Sequence, residues 1–175
     1  MPRLTREIAM IHLLKERIAP VSLPPSIRSQ SATEADRQRL QRTYFETFSD
    51  SADAYFHDVS EDQRLALFND YFDFEQPLVE DASLVLSSGE EIVGFCMARP
   101  TQELVKLGPI GIHPEHRRRD LGKALVGLAL SRLAQKRVKA AWLEVDAANQ
   151  PAYHLYLRMG FKDHHGVILH RWKRA

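Results

Sequence analysis

Three consecutive arginines, Arg117–Arg119, run into an acid and a small-residue segment within the stretch "HPEHRRRDLGKAL". The stretch lies between a strand-like segment that ends at Ile112 and an apolar, helix-like segment that begins at Leu121. Because the first turn of a helix carries unpaired amides and partial positive charge, an anion placed there is bound by the backbone itself. Gly122 and Ala124 lack the bulk that would hold a phosphate away. These residue types and their spacing therefore predict a binding site for a phosphorylated ligand.

Two other functions fit the arginine stretch less well. A nucleic-acid patch is typically interleaved with aromatic residues or belongs to a known DNA- or RNA-binding motif, and this stretch shows neither. The net charge of +1 gives no global field toward nucleic acid or an anionic membrane. A nucleoside-triphosphate loop needs another glycine upstream, which Gly122-Lys123 lacks. We therefore expect no nucleic acid and no membrane among the partners.

A second group of polar residues lies in "LEVDAANQPAYHLYLRMGF", residues 143–161. Glu144 falls on a strand-like segment, and Asn149 precedes a proline that suits the first turn of a helix. The helix carries Tyr156 and stops at Gly160. Taken alone, these residues fit structural roles: an ion pair for Glu144, a helix cap for Asn149 and a core aromatic for Tyr156.

The two segments, in this order, resemble the GNAT acetyltransferases. The pyrophosphate loop of that family reads Arg/Gln-x-x-Gly-x-Gly/Ala, and Arg119-Asp120-Leu121-Gly122-Lys123-Ala124 matches it. The order strand, Asn, helix and Tyr-x-x-x-Gly-Phe in the second segment is similar to a second family motif. The resemblance is sharp over residues 104–161, looser over 27–103 and absent from the first twenty-odd residues.

The resemblance implies an N-acetyltransferase that transfers an acetyl group from acetyl-CoA to a primary amine by direct attack in a ternary complex. It implies that Tyr156 protonates the departing thiolate. Glu144 stands twelve residues earlier, an arrangement that resembles the N-terminal acetyltransferases of ribosomal proteins, and is the candidate base. The residues assigned to acetyl-CoA on this basis are Ile110, Gly111, Ile112, Arg117, Arg118, Arg119, Asp120, Leu121, Gly122, Lys123, Ala124, Asn149 and Tyr156. The acceptor amine belongs to a small molecule or a peptide. The alternative is a non-catalytic module that binds acyl-CoA and regulates a partner.

Asp120 departs from the family pattern, because glycine usually stands at this position beside the phosphates. A carboxylate there is repelled by the ligand. If its side chain instead caps the helix by accepting from the Lys123 amide, it points away and costs little. We expect Asp120 to weaken cofactor binding without abolishing it.

Apolar periodicity predicts an α/β fold with a mixed, mostly antiparallel central sheet flanked by helices. Strands are expected at 27–30, 83–87, 91–98, 104–112, 140–145 and 167–172, and helices at 35–48, 61–72, 121–136 and from 151 to Gly160. Gly108-Pro109 should interrupt pairing of the strand 104–112, because proline lacks an amide hydrogen, and should produce a bulge or a splay.

An extra amphipathic helix is predicted over residues 3–18, where apolar residues recur at three- and four-residue steps: Leu4, Ile8, Ile11, Leu14 and Ile18. Three prolines then mark a linker. We therefore divide the chain into an N-terminal helical extension and linker, 1–25, and an acetyltransferase domain, 26–175. The helix either packs on its own domain or joins a second subunit in a homodimer.

Acidic residues dominate from Glu46 to Asp81, where eleven acids face one base. Relatives build their acceptor site in this part of the chain, so the charge favours a cationic acceptor. Two solvated helix faces, one acidic and one basic, would explain the same charge pattern without a ligand. The aromatic residues expected at the acceptor site are Tyr55, Phe56, Tyr71 and Phe72.

The remaining signals concern compartment and metals. The single cysteine, Cys96, lies in an apolar segment and is expected in the core; it cannot form an internal disulfide, which indicates a reducing compartment, the cytoplasm. The early apolar run is too short for a signal peptide or a membrane span. The eight histidines show no ligand grouping, so no metal is expected.

Overall fold

The computed structural model describes residues 4–15, 18–50 and 59–171. Its strands are β1 (Leu4–Leu13), β2 (Ile27–Ser31), β3 (Leu84–Ser88), β4 (Glu91–Thr101), β5 (Leu104–Ile112), β6 (Ala140–Asp146) and β7 (Lys162–Arg171). They form one sheet in the order β2-β3-β4-β5-β6-β1-β7. Among the described neighbours β5 and β6 run parallel and the other pairs are antiparallel. The predicted mixed, mostly antiparallel sheet is confirmed.

The described helices are α1 (Arg37–Phe48), α2 (Glu61–Tyr71), α3 (Leu121–Gln135) and α4 (Gln150–Arg158). Side chains that accept from the first-turn amides set where they begin: Asp36 caps α1, and Ser60 forms a capping box with Gln63 at α2. These bounds lie close to those predicted. None of the described helices is both long and apolar enough to cross a bilayer.

The N-terminal segment is a strand, so the predicted helix over residues 3–18 is wrong. β1 lies inside the sheet and pairs antiparallel with both β6 and β7. Ala9 and Met10 are neighbours that point to opposite faces of the strand, and both are buried, so this part of β1 is covered on both faces and its apolar residues need not alternate. Apolar residues at three- and four-residue steps suit this environment as well as a helix. Residues 4–13 therefore belong to the same sheet as the strands of the predicted domain.

Helices cover the two faces of the sheet and enclose two apolar clusters. On one face, Leu125 and Leu130 of α3 pack with Leu86 and Leu107 of the sheet. On the other, residues of α1 and α2 pack against the strands: Leu40, Tyr44, Phe68, Phe72, Val85, Phe95 and Met97. Cys96 is fully buried in the first cluster, as predicted, and burial raises the pKa of its thiol to about 12.

The sheet splits between its two parallel strands. β5 stays paired with β4 as far as Gly94↔Ile112, yet its described pairs with β6 are only Val105↔Ala141 and Lys106↔Trp142. Beyond Lys106 the strand carries Gly108-Pro109, and proline offers no amide to a neighbouring strand. The predicted splay is confirmed. It leaves the edge of residues 107–112 that faces β6 without a strand partner among the described residues.

Candidate active site

The split in the sheet opens into a cleft of about 530 Å³. One wall comes from β5, β6 and the start of α4, and the opposite wall from α2 and the segment that follows it. The residues that line it are Glu7, Phe48, Asp70, Tyr71, Gln76, Pro77, Arg99, Pro100, Thr101, Lys106, Leu107, Gly108, Pro109, Ile110, Glu144, Val145, Asp146, Asn149, Ala152 and Tyr156. The fold therefore brings together four of the residues that the sequence assigned to catalysis or to acetyl-CoA, namely Ile110, Glu144, Asn149 and Tyr156.

Tyr156 lies on α4 with its ring in the core and lines the cleft. Its side chain is packed against Phe161, with 5.7 Å between ring centroids, and the residue is 7% exposed. Burial, with a smaller contribution from nearby Cys96, raises the pKa of the phenol well above its ordinary value. Within the described part of the chain its hydroxyl makes no hydrogen bond. A phenol in this state is protonated at neutral pH and can donate its proton to a ligand in the cleft.

Glu144 occupies β6 just beyond the last β5–β6 pair. Its Oε2 accepts a hydrogen bond from Lys106 Nζ at 2.7 Å. The Lys106 ammonium also lies 4.9 Å from the centre of the Trp142 ring, and Trp142 Nε1 donates to Thr101 Oγ1 at 2.8 Å. The ion pair that the sequence left open as an alternative is present, and it stands in the cleft.

Asn149 caps α4, since its Oδ1 accepts from the Ala152 amide at 3.3 Å. The cap uses the oxygen, and the side-chain amide nitrogen makes no hydrogen bond with any described residue. Asp146, which sequence reasoning missed, is 7% exposed and accepts from the Ala148 amide at 2.7 Å. It shares a face of β6 with Glu144 because side chains two apart on a strand point the same way. That alternation was the available signal for it.

The arginine stretch is tied to α1 through its first arginine. The Arg117 guanidinium donates to both carboxylate oxygens of Asp50 at 3.1 Å, to the Thr47 carbonyl at 2.7 Å and to the Ile112 carbonyl at 3.1 Å. Beside it, His113 Nε2 lies 3.0 Å from Glu46 Oε2. The acidic and basic segments of the chain therefore neutralise each other in part, and the hydrogen bonds of the Arg117 guanidinium are made within the protein.

Arg118, Arg119 and Lys123 are exposed, and none makes a side-chain hydrogen bond or ion pair with a described residue. Arg118 and Asp120 both adopt a left-handed backbone with φ of 57°. The Asp120 side chain makes no capping hydrogen bond, so the contact with the Lys123 amide that would turn its carboxylate away from the ligand is not formed. The left-handed backbone explains why glycine suits this position, because residues with a Cβ adopt it at a cost.

We expect Asp120→Gly and Asp120→Asn each to lower the Kd for acetyl-CoA roughly threefold to tenfold, because both remove a carboxylate beside the expected phosphates. Asparagine tolerates the left-handed backbone, so it isolates the effect of charge. Only glycine also relieves backbone strain, and it should raise the free energy of unfolding by up to about 1 kcal/mol. Titration calorimetry and urea unfolding measure the two effects. An unchanged Kd in both variants would show that Asp120 does not oppose the cofactor.

The acidic, aromatic region contributes part of what was expected of it. Asp70 and Tyr71 line the cleft. Phe72 does not, since it is fully buried in the core beside Tyr44, so its predicted place at the acceptor site is wrong. Tyr55 and Phe56 lie outside the described residues.

Arg99 holds the segment after α2 in place and was not predicted. Its guanidinium donates to the carbonyls of Tyr71, Asp73, Gln76 and Pro77 at 2.8 to 3.3 Å. This wall of the cleft is therefore held in place by the four hydrogen bonds of Arg99. Among the described residues, no group of three His, Cys, Asp or Glu side chains is placed to hold a metal ion.

The model of the acetyltransferase (GNAT) family matches residues 37–161. Mycothiol acetyltransferase of Streptomyces scabiei is 33% identical over 99 residues, which are 55% of this chain and 32% of that protein. The ribosomal protein bS18-alanine N-acetyltransferase of Escherichia coli K12 is 30% identical over 78 residues, 45% of this chain and 53% of that protein. The chain thus spans about a third to about half of the length of these curated relatives.

Solved structures share the fold. A GCN5-related N-acetyltransferase of Sphaerobacter thermophilus gives a TM-score of 0.73 at 20% identity, over 98% of this chain and 52% of its own. The PaiA N-acetyltransferase of Thermoplasma acidophilum, in complex with coenzyme A, gives 0.61 at 16% identity, over 84% of this chain and 99% of its own. At these identities the likeness concerns the fold alone.

Proposed function

The chain belongs to the GNAT acetyltransferase family, and on that premise we propose that it transfers an acetyl group from acetyl-CoA to a primary amine. One observation carries the proposal: the split beside β5 opens into a cleft where Glu144, Asn149 and Tyr156 converge. The split also leaves strand backbone available to a ligand, which an intact sheet would not. An acid, a carboxylate and an elongated binding edge are the parts that this reaction needs.

Acetyl-CoA fits the described residues in two places. The backbone of Ile110, Gly111 and Ile112 offers hydrogen-bonding groups to the pantetheine arm, and the Asn149 side-chain nitrogen offers a further donor. The diphosphate fits the amides and side chains at the start of α3, contributed by Arg118, Arg119, Asp120, Leu121, Gly122, Lys123 and Ala124. Arg117 supports this loop from behind through Asp50 and Thr47. When bound, the cofactor supplies the acetyl group as an activated thioester.

Two side chains of the protein then accept and donate the protons of the reaction. Glu144 accepts a proton from the amine as its nitrogen bonds to the acetyl carbon and the carbon–sulfur bond breaks. Tyr156 gives its proton to the departing sulfur. At pH 7.4 a lysine amine needs roughly 4 kcal/mol to become neutral and an α-amine only about 0.5 kcal/mol. A lysine-like acceptor therefore depends on Glu144 far more than an N-terminal one does.

The charge of the cleft favours a cationic acceptor. The cleft is lined by four acids, Glu7, Asp70, Glu144 and Asp146, and by two bases, Arg99 and Lys106, of which Lys106 pairs with Glu144. Asp70 and Asp146 line the same cleft and form no ion pair with a described cation. Because the attacking amine must be neutral when it reacts, the positive charge that these carboxylates recognise belongs to a second group on the acceptor. A diamine, or a peptide N-terminus near a basic side chain, meets this requirement.

We expect Asp70→Asn to raise the KM for a diamine acceptor roughly fivefold, with little change in kcat, because an exposed charge pair contributes up to about 1 kcal/mol. Asp73→Asn is the matched control, since Asp73 is three residues away and does not line the cleft. Thiol release from acetyl-CoA, followed with diamines and with monoamines of equal length, gives kcat and the KM for each amine. If the unaltered chain has equal KM values for diamines and monoamines, the acceptor does not need a second cationic group.

The names of the relatives include both acceptor classes. One is called a mycothiol acetyltransferase, after a small molecule, and the other names alanine of a ribosomal protein. An amine panel therefore needs small diamines and short peptides with a basic second residue. The cytoplasmic setting and the homodimer expected from the sequence stay predictions.

A further inference from the structure

We propose that Lys106 is a positioning residue that holds the Glu144 carboxylate in the orientation needed for proton acceptance. The proposal rests on the proposed function, since it concerns the base of that reaction. It assigns Lys106 a role in the rate of the reaction, acting through Glu144, beyond its contribution to the sheet.

The backbone places Lys106 at the point where the sheet opens. Lys106↔Trp142 is the last β5–β6 pair before the split. Glu144 is two residues further along β6, so its side chain stands on the open side of that pair. The 2.7 Å bond from Lys106 Nζ to Glu144 Oε2 therefore reaches across the beginning of the split. It connects the two strands at a place where their backbones no longer pair.

The bond leaves half of the carboxylate available. Lys106 contacts Oε2, and Glu144 Oε1 makes no hydrogen bond within the described part of the chain. Glu144 lines the cleft and its side chain is 18% exposed, so the remaining oxygen is accessible to a ligand or to water. A single charge-assisted bond of this kind fixes the direction of a carboxylate while one oxygen stays open to accept a proton.

Lys106 is itself restrained. Its stem belongs to a paired strand residue, its ammonium lies 4.9 Å from the centre of the Trp142 ring, and Trp142 is held by Thr101 at 2.8 Å. On the open surface, holding a lysine side chain in one conformation costs side-chain entropy, and this cost is one reason why exposed ion pairs contribute little to stability. The Lys106 side chain is 37% exposed, but these contacts restrain it without a substrate, so Glu144 is already held in its position.

A double-mutant cycle tests the proposal. We expect Glu144→Gln to lower kcat roughly thirtyfold and Lys106→Met, which keeps most of the aliphatic stem, roughly tenfold. If Lys106 acts through Glu144, the double variant is no slower than Glu144→Gln alone, whereas independent effects would multiply to roughly 300-fold. Lys106→Arg, which keeps the charge and the donors, should recover most of kcat.

Three further measurements separate positioning from a purely structural role. Acetyl-CoA Kd and the unfolding midpoint should change little in Lys106→Met, because the strand pairs around it remain. Lys139→Met is the control: it breaks the exposed Lys139–Glu103 ion pair of 3.6 Å, outside the cleft, and should leave kcat unchanged. Multiplicative losses in the double variant, or no rescue by arginine, would overturn the role of Lys106. Absence of thiol release by the unaltered chain with every amine tested would instead overturn the proposed function.

Discussion

Replacing Tyr156 with phenylalanine should lower kcat by about 10²–10³-fold and leave the Kd for acetyl-CoA within about twofold. The substitution keeps the ring that packs against Phe161 and removes only the hydroxyl, which makes no hydrogen bond with any described residue. Folding therefore loses almost nothing, while the departing sulfur loses its proton donor. Thiol release at saturating acetyl-CoA, together with titration calorimetry for the Kd, separates chemistry from binding.

The pH profile provides a second measurement of the same group. Burial raises the pKa of Tyr156, so the folded protein keeps the phenol protonated beyond the pH at which an ordinary tyrosine ionises. A proton donor with a raised pKa stays competent up to that higher pH, and kcat of the unaltered chain should not fall on the alkaline side below about pH 10. An alkaline decline centred near pH 8 would have to come from another group.

Tyr153→Phe is the matched control for Tyr156→Phe. Tyr153 lies on the same helix, does not line the cleft and donates to Asp163 at 3.1 Å. Its substitution should leave kcat within about twofold, since the phenol lost is outside the cleft. If Tyr156→Phe is as active as this control, Tyr156 is a core aromatic. If the unaltered chain binds acetyl-CoA and shows no turnover, the alternative of a regulatory acyl-CoA-binding module is favoured.

Features that depend on nearby residues could be predicted from the sequence. The Asn149 cap, the long helix α3 and the splay at Gly108-Pro109 each follow from residues within a few positions of one another. Tyr156 was identified through its place in the motif that resembles the GNAT family, and that motif lies within one short helix between Asn149 and Gly160. These features depend on residues that are close together in the sequence, so the sequence alone is enough to predict them.

Features that depend on distant partners could not be predicted in the same way. β1 has the apolar spacing of a helix and becomes a strand because β6 and β7, from the far end of the chain, pair with both of its edges. Arg117 is next in sequence to two other arginines, yet its ion-pair partner is Asp50, 67 residues away. Lys106 and Glu144 are 38 residues apart and meet because the sheet places their strands side by side. The fold determines which of these residues meet, and the residue types alone do not identify the pairs.

The second large effect is expected from the two arginines that remain available at the start of α3. The double variant Arg118→Asn with Arg119→Ala should raise the Kd for acetyl-CoA about 100-fold, since a hydrogen bond to a charged group contributes roughly 1.5–3 kcal/mol and exposure reduces this. Asparagine is chosen at 118 because the backbone there is left-handed, with φ of 57°. Arg117 is left intact, because its removal would leave Asp50 without its partner and disturb α1.

Kinetics and salt distinguish this loss of cofactor affinity from damage to the fold. At saturating acetyl-CoA the double variant should recover the kcat of the unaltered chain, because the arginines contact the phosphates and not the reacting atoms. Added salt should weaken binding by the unaltered chain more than by the variant, since screening acts on the charges that the variant has lost. Arg28→Ala, which removes an exposed arginine on β2 at the edge of the sheet, is the control and should change neither the Kd for acetyl-CoA nor kcat. An equal Kd for the double variant and this control would place the diphosphate elsewhere and remove the start of α3 from the binding site.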